Sequence, residues 1–333
     1  MLKGARLFGT AAAGILMGLT AMPVSVIAAH RHDEMRGAGG WNPAPAHSSA
    51  GYDCKLPQGW GQVAQRRTQF VVFGEIHGTV ESPAFVGNIA CALAARGERI
   101  LVAVEHLSIH DPALQSAWNL PHGTFEATVR QAGWAERKDG VGSEAMMGLL
   151  VYLHALKQQG RSVDIVAFSG AKDVEQDRRF SDQSGQGPHE AAQAENIRTA
   201  AAARSYDHVL VLVGNLHARK RPVERGGSLF RPMAMQLASP DAITTLGMKT
   251  SGGTHWGCGL KPGVTPAVGK PFPADAVQCV SNIMRGDAQL KRAPFISLKA
   301  TPDIDADDNY DGFFWLGPVS ASPPFAVPDA HGG

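Results

Sequence analysis

The sequence predicts an α/β fold with a mainly parallel central sheet and helices on both faces. Two dense apolar runs, residues 70–73 and 209–213, each close on Gly-x-x-His, as Gly74-Glu75-Ile76-His77 and Gly214-Asn215-Leu216-His217. Runs of this kind read as parallel strands buried on both faces. Between them, short apolar runs alternate with segments of helical spacing, the pattern of β-α-β units.

The first strand is expected over 70–73. Ser82-Pro83 reads as an N-cap followed by proline in the first helical position. Phe85, Val86, Ile89, Ala90 and Leu93 then recur at helical spacing up to Gly97. A second strand is expected over 100–104 and a helix from Asp111-Pro112 to about Trp118. A longer helix over 143–159 carries Met146, Leu149, Leu150, Leu153 and Leu156 on its apolar side and stops at Gly160. The third strand covers 163–168, Pro188 opens an alanine-rich helix to about Arg204, and the fourth strand covers 209–213. Beyond Gly226 the pattern weakens: 242–248 and 312–319 read as strands and 250–275 as loop. Residues 53–325 are expected to form a single domain, with a C-terminal subdomain over 226–325 as the alternative, and 326–333 a disordered tail.

The chain has 333 residues, enough for a full core. Charged residues make up 18% and the net charge is +1, so composition favours neither nucleic acid nor an anionic membrane. Lys3 and Arg6 precede an apolar stretch over 7–22, and Val26-Ile27-Ala28 or Ile27-Ala28-Ala29 supplies a cleavage site. Residues 1–29 therefore read as a signal peptide, which implies a periplasmic or secreted protein without a stable membrane anchor. Residues 30–52, rich in His, Gly, Ala, Pro and Ser, read as a flexible linker. In an oxidising compartment Cys258 and Cys279 are expected to pair. Cys54 and Cys91 have two readings, as a disulfide pair or with Cys91 left as a buried free thiol.

Ligands of open α/β sheets sit beyond the carboxyl ends of the strands. Residues i and i+2 of a strand share a face, so Glu75 and His77 point the same way if extension continues. The second strand ends in Glu105-His106 and the fourth delivers His217. Two carboxylates and two imidazoles thus converge on one crevice. Such a set suits a divalent transition metal held by His77, His217, Glu75 and Glu105. It equally suits metal-free catalysis in which a carboxylate orients a histidine that activates water. Glu81 either belongs to this site or complements the N-terminus of its helix. His106 reads as a supporting or surface residue, His255 as a loop residue covering the crevice, and Arg219 as a cation for an anionic substrate. Lys172 and Asp173, after the third strand, are placed to reach the same crevice. No Gly-x-Ser-x-Gly, phosphate-binding loop or His-Glu-x-x-His is present.

These motifs resemble those of the ChaN-like/Tiki superfamily, with TraB-type proteins and, more distantly, erythromycin esterases. The resemblance rests on Gly74-Glu75-Ile76-His77, on Glu105 ending the second strand and on Gly214-Asn215-Leu216-His217-Ala218. Glu195-Asn196-Ile197-Arg198 and Tyr310-Asp311-Gly312-Phe313-Phe314 look like further parts of the group's pattern. The resemblance implies an α/β fold whose paired Gly-x-x-His motifs face one cleft. ChaN-like members bind haem, Tiki-type members are metal-dependent proteases, and erythromycin esterases open a lactone with histidine and glutamate. The expectation is an exported, metal-assisted hydrolase of a small-molecule or peptide substrate, using His77, Glu105, His217 and Glu75. A non-catalytic haem- or iron-binding protein, with His77 and His217 as ligands, is the alternative. The oligomeric state is left open.

Overall fold

The computed structural model describes residues 52–134, 136–264 and 276–325. The expected signal peptide, all of the expected linker but Tyr52, and the expected tail lie outside the described residues. The strands are β1 (Phe70–Glu75), β2 (Ile100–Leu107), β3 (Val163–Ser169), β4 (His208–Gly214), β5 (Val223–Arg225) and β6 (Ser228–Phe230). They continue with β7 (Ile243–Lys249), β8 (Gly252–Leu260), β9 (Val277–Arg285), β10 (Phe295–Ser297), β11 (Gly312–Trp315) and β12 (Pro318–Val319). The α-helices are α1 (Trp60–Gln65), α2 (Glu81–Ala95), α3 (Asp111–Trp118), α4 (His122–Val129), α5 (Glu144–Gln158), α6 (Val174–Phe180), α7 (Gly187–Ala202) and α8 (Met233–Leu237).

A seven-stranded sheet runs in the order β10-β11-β7-β1-β4-β2-β3. Every neighbouring pair in it is parallel except β10 and β11. Strand alternation divides the core into two layers. Val71, Phe73, Val102, Val104, Leu210 and Leu212 pack with α2 and α5 on one face. Phe70, Val72, Leu101, Ala103, Val209 and Val211 pack with α7 and α8 on the other. Burial on both faces is why these strands read as unbroken apolar runs.

The chain leaves β1 for β2 on one side, and leaves β4 for β7 on the other side of β1. The carboxyl ends of β1 and β4 therefore meet where the winding reverses, the position at which such sheets open a crevice. Residues after 226 contribute β7, directly paired with β1, and β10 and β11 beyond it.

Three local expectations change. Helix α2 begins at Glu81, and Ser82 does not cap it: its hydroxyl is buried without a partner. Residues 318–321 strap this end of the helix instead, with the Val80 N–H donating to the Ser320 carbonyl at 2.9 Å and the Glu81 carboxylate accepting from the Ser320 N–H at 2.9 Å. The expected strand over 312–319 is two strands, broken at Gly317 (φ 78°), where the chain passes from the central sheet to a three-stranded sheet of β12, β8 and β9. The expected loop over 250–275 contains β8, paired antiparallel along its length with β9. Its glycines hide a strand pattern, and cross-strand pairing supplies what local preference lacks. Cys258 faces Cys279 across this hairpin in a disulfide, and a second disulfide joins Cys54 to Cys91 of α2. No helix among the described residues is long and apolar enough to cross a membrane.

Candidate functional site

Three parallel strands deliver the site. β1 ends in Glu75, with His77 two residues beyond; β2 carries Glu105; β4 ends in Gly214. The Asn215 N–H donates to the Glu75 carbonyl at 2.8 Å, tying the ends of β1 and β4 together. A tight turn, in which the His217 N–H donates to the Gly214 carbonyl at 3.0 Å, brings His217 back over the strand ends. A Cβ at Gly214 would lie 2.9 Å from His77 Nε2, so only glycine lets the imidazole approach the end of β4.

The result is an unbroken chain of carboxylates and imidazoles. His77 Nδ1 donates to Glu75 Oε1 at 2.9 Å, and His77 Nε2 lies 3.1 Å from Glu105 Oε2. Glu105 Oε1 lies 3.5 Å from His217 Nε2, and His217 Nδ1 donates to Glu190 Oε1 at 2.7 Å. The central carboxylate and one outer carboxylate are anchored by backbone donors. Glu105 Oε2 accepts the Gly214 N–H at 2.6 Å, and Glu190 Oε2 accepts the Met233 N–H at 2.7 Å. The carboxylates are buried, whereas the His77 side chain keeps 25% and His217 16% of its surface exposed.

Burial alone would hold both imidazoles neutral, but their carboxylates outweigh it. His77 is raised well above its ordinary value by Glu105 and Glu75. His217 is raised by Glu190 and Glu105, with the charge of His77 working against it. Burial likewise opposes the ionisation of Glu105, yet the two imidazoles and the Gly214 N–H hold its pKa at about 2.

Other residues singled out from the sequence are placed differently. Neighbours on a strand point to opposite faces, so His106 turns away from Glu105. It is buried against Trp134, with Nε2 3.3 Å from the Ala132 carbonyl, and is not in the site. Glu81 serves the start of α2. Asp173 caps α6 by accepting the Gln176 N–H at 2.7 Å, and the Lys172 N–H donates to Gln176 Oε1 at 2.8 Å. His255 lies in β8, not in a loop, paired with Asn282. The hairpin does cover this region through Trp256, whose N–H donates to the Gly78 carbonyl at 2.8 Å. Arg219 lies two residues past His217, beside Tyr310.

Sequence reasoning missed Glu190. It sits in the first turn of α7, fully buried, on the helix face it shares with Gln193, Ala194 and Ile197. A buried acidic residue needs a partner, and the signal the sequence offered was its place at the start of an alanine-rich helix. His189 beside it approaches His217, with ring centroids 5.8 Å apart. A cleft of about 500 Å³ opens here, lined by His217, His189, Asp177 and Arg225. A larger cleft, about 790 Å³, lies away from these residues, between Tyr52, Phe85 and Arg292.

Among the described residues, no group of three or more His, Cys, Asp or Glu side chains is placed to hold a metal ion. The expected ligand set of His77, His217, Glu75 and Glu105 is organised as paired donors and acceptors instead. Both ring nitrogens of each histidine face a carboxylate.

No protein family matches the chain, and no curated protein matches it by sequence. Solved structures do match in shape. An erythromycin esterase mutant in its open conformation superposes with a TM-score of 0.55 at 11% identity, over 80% of this chain and 95% of that one. The chain has an erythromycin-esterase-like fold. A succinoglycan biosynthesis protein gives a TM-score of 0.53 at 10% identity, over 79% of this chain and 91% of that one. A Bacillus cereus protein gives 0.50 at 10% identity, over 79% and 92%. At these identities the likeness is one of fold, and the chemistry rests on the side chains.

Proposed function

We propose that this protein is an exported hydrolase that cleaves an ester or peptide bond by metal-free acid–base catalysis. The observation that carries this reading is Glu105 standing between two imidazoles, each backed by a further carboxylate. Sites whose environments separate the pKa values of neighbouring groups thereby divide acid from base. His77, raised most strongly, is the proton donor. His217, opposed by the charge of His77, is the base.

His217 takes a proton from water as the water oxygen attacks the carbonyl carbon. His77 delivers its proton to the leaving oxygen or nitrogen, which departs with the bonding electrons. Transfer of the proton from His217 back to His77, with Glu105 between them, restores the starting state. The 3.5 Å separation of His217 from Glu105 is the loosest contact of the chain, and His217 lines the open cleft. Haem ligation is less well supported, because an axial histidine presents a free ring nitrogen and both nitrogens of His77 and His217 face carboxylates. The fold shared with an erythromycin esterase favours ester chemistry. The basic and apolar N-terminus and the two disulfides favour export.

The test is hydrolysis of 4-nitrophenyl acetate and of a mixed peptide library by chelator-treated protein. Turnover lost in His77→Ala and His217→Ala supports the reading. Turnover that needs added metal, or that survives both substitutions, contradicts it.

A further inference from the structure

Beside the strand ends, on the β7 side, a second cleft of about 200 Å³ opens between Ile76, Asn215, Arg219, Met248, Arg285 and Tyr310. Ile76 and Asn215 belong to the two Gly-x-x-His motifs, so this cleft borders the proposed reaction centre. Its acidic residues are already engaged. Asp287 accepts from Lys249 at 3.0 Å and from the Thr250 N–H at 2.9 Å. Asp307 accepts the backbone and side-chain N–H groups of Asn309 at 2.9 and 2.8 Å.

Its arginines are not so engaged. Neither Arg219 nor Arg285 forms an ion pair with an acidic side chain among the described residues. Arg219 is turned onto the Tyr310 hydroxyl, and its Nε is buried without a hydrogen-bond partner. The Tyr310 hydroxyl in turn donates to the Asn215 carbonyl at 2.7 Å, which fixes this wall of the cleft. The Ile76 N–H, between Glu75 and His77, faces only the Met248 thioether at 3.4 Å, a weak acceptor. A buried donor without a good acceptor is costly unless a ligand supplies one.

We propose that this cleft binds an anionic oxygen group of the substrate, a carboxylate or a phosphate, next to the bond that is cleaved. Arg219 and Arg285 pair with its charge, and the Ile76 N–H donates to one of its oxygens. Arginine suits this task because its planar donors match two oxygens at once. The cleft admits a small acidic group and little more. Its role as a substrate subsite rests on the hydrolytic reading of His77 and His217; its capacity to bind an anion does not.

The experiment is calorimetric titration of the full chain with succinate and with inorganic phosphate, beside Arg219→Gln and Arg285→Gln. One of the two anions should bind at millimolar concentration, and each substitution should weaken it about tenfold. The tighter anion identifies the source as a carboxylate or a phosphate group. The substrate role is read from kcat/KM for 4-nitrophenyl hydrogen succinate against 4-nitrophenyl pentanoate. A preference of about tenfold for the acid ester should disappear in Arg219→Gln. Binding of neither anion, or equal binding by all three proteins with unaltered thermal midpoints, overturns the proposal. Anion binding by a protein that hydrolyses no ester supports the cleft and contradicts the hydrolytic reading alone.

Discussion

His77 and His217 lie between carboxylates, whereas His106 and His154 lie against aromatic rings, and the two pairs titrate in opposite directions. Burial lowers all four. At His77 and His217 the charges of Glu75, Glu105 and Glu190 overcome it. His106 packs on Trp134 with ring centroids 4.4 Å apart, and burial wins, holding it at about 4. His154 stacks on Phe125 at 4.1 Å and is lowered too, with Nε2 bonded to the Leu120 carbonyl at 3.0 Å. The same side chain is thus a charged working group over the strand ends and a neutral packing group in the helical layer. What separates them is the supply of buried acceptors with negative charge.

The sharpest way to break this contrast is Glu105→Gln, which keeps the shape and removes the shared charge. Hydrolysis should fall by about 10²–10⁴-fold, the range for losing positioned proton transfer. Initial rates of the variant measure it, and a rate within a few fold of the parent would show that the two imidazoles work independently. Glu190→Gln weakens the outer link to His217 and leaves Glu105 in place, so its loss should be smaller, on the order of 10–100-fold. An equal or larger loss would move the centre of the site from Glu105 to α7.

Among the aromatic-packed histidines the effect should appear in stability. His154→Ala removes a fully buried ring and should cost about 2 kcal/mol of unfolding free energy, with kcat/KM changed less than threefold. Denaturant titration and rates on one preparation separate the two. A large loss of rate without destabilisation would make His154 part of the site.

The pH dependence carries the contrast in its sign. His77 and His217 have raised folded values, so their stabilisation is fully present below about pH 6.5 and is lost as pH rises through those values. His106 has a lowered folded value, so its contribution is present above about 6.5 and is lost as pH falls towards about 4. Glu105 contributes above its ordinary 4.5 and loses that as pH falls to about 2. Thermal midpoints against pH should therefore lose much of their alkaline slope in His77→Ala and part of their acid slope in His106→Phe. The smallest expected effect is that of chelation: treatment with EDTA, or addition of zinc, should leave midpoint and rate unchanged. A rise of several degrees with zinc would restore the metal-centred reading.

Much of this contrast was legible in the sequence, for a physical reason. A buried parallel strand must be apolar on both faces, so β1, β2, β3 and β4 announce themselves, and glycine at a strand end marks room for a ligand. That reasoning finds His77, Glu105 and His217. It fails for Glu190 because α7 brings that residue in from the side of the sheet, where no strand-end pattern applies. It gives no direction for His106 until strand alternation is anchored by Val104 on the α5 face and Glu105 on the other. The β8–β9 hairpin escaped because its glycines mimic a loop, while its order comes from cross-strand pairs and the Cys258–Cys279 bond.

The account is tested most directly by following the ring protons of His77 and His217 by NMR as pH is varied, in the parent and in Glu105→Gln. It predicts that His77 stays protonated well above the ordinary imidazole range, that His217 titrates above that range but below His77, and that both fall together when Glu105 is neutralised. Two independent titrations near the ordinary imidazole value, unmoved by Glu105→Gln, would contradict it.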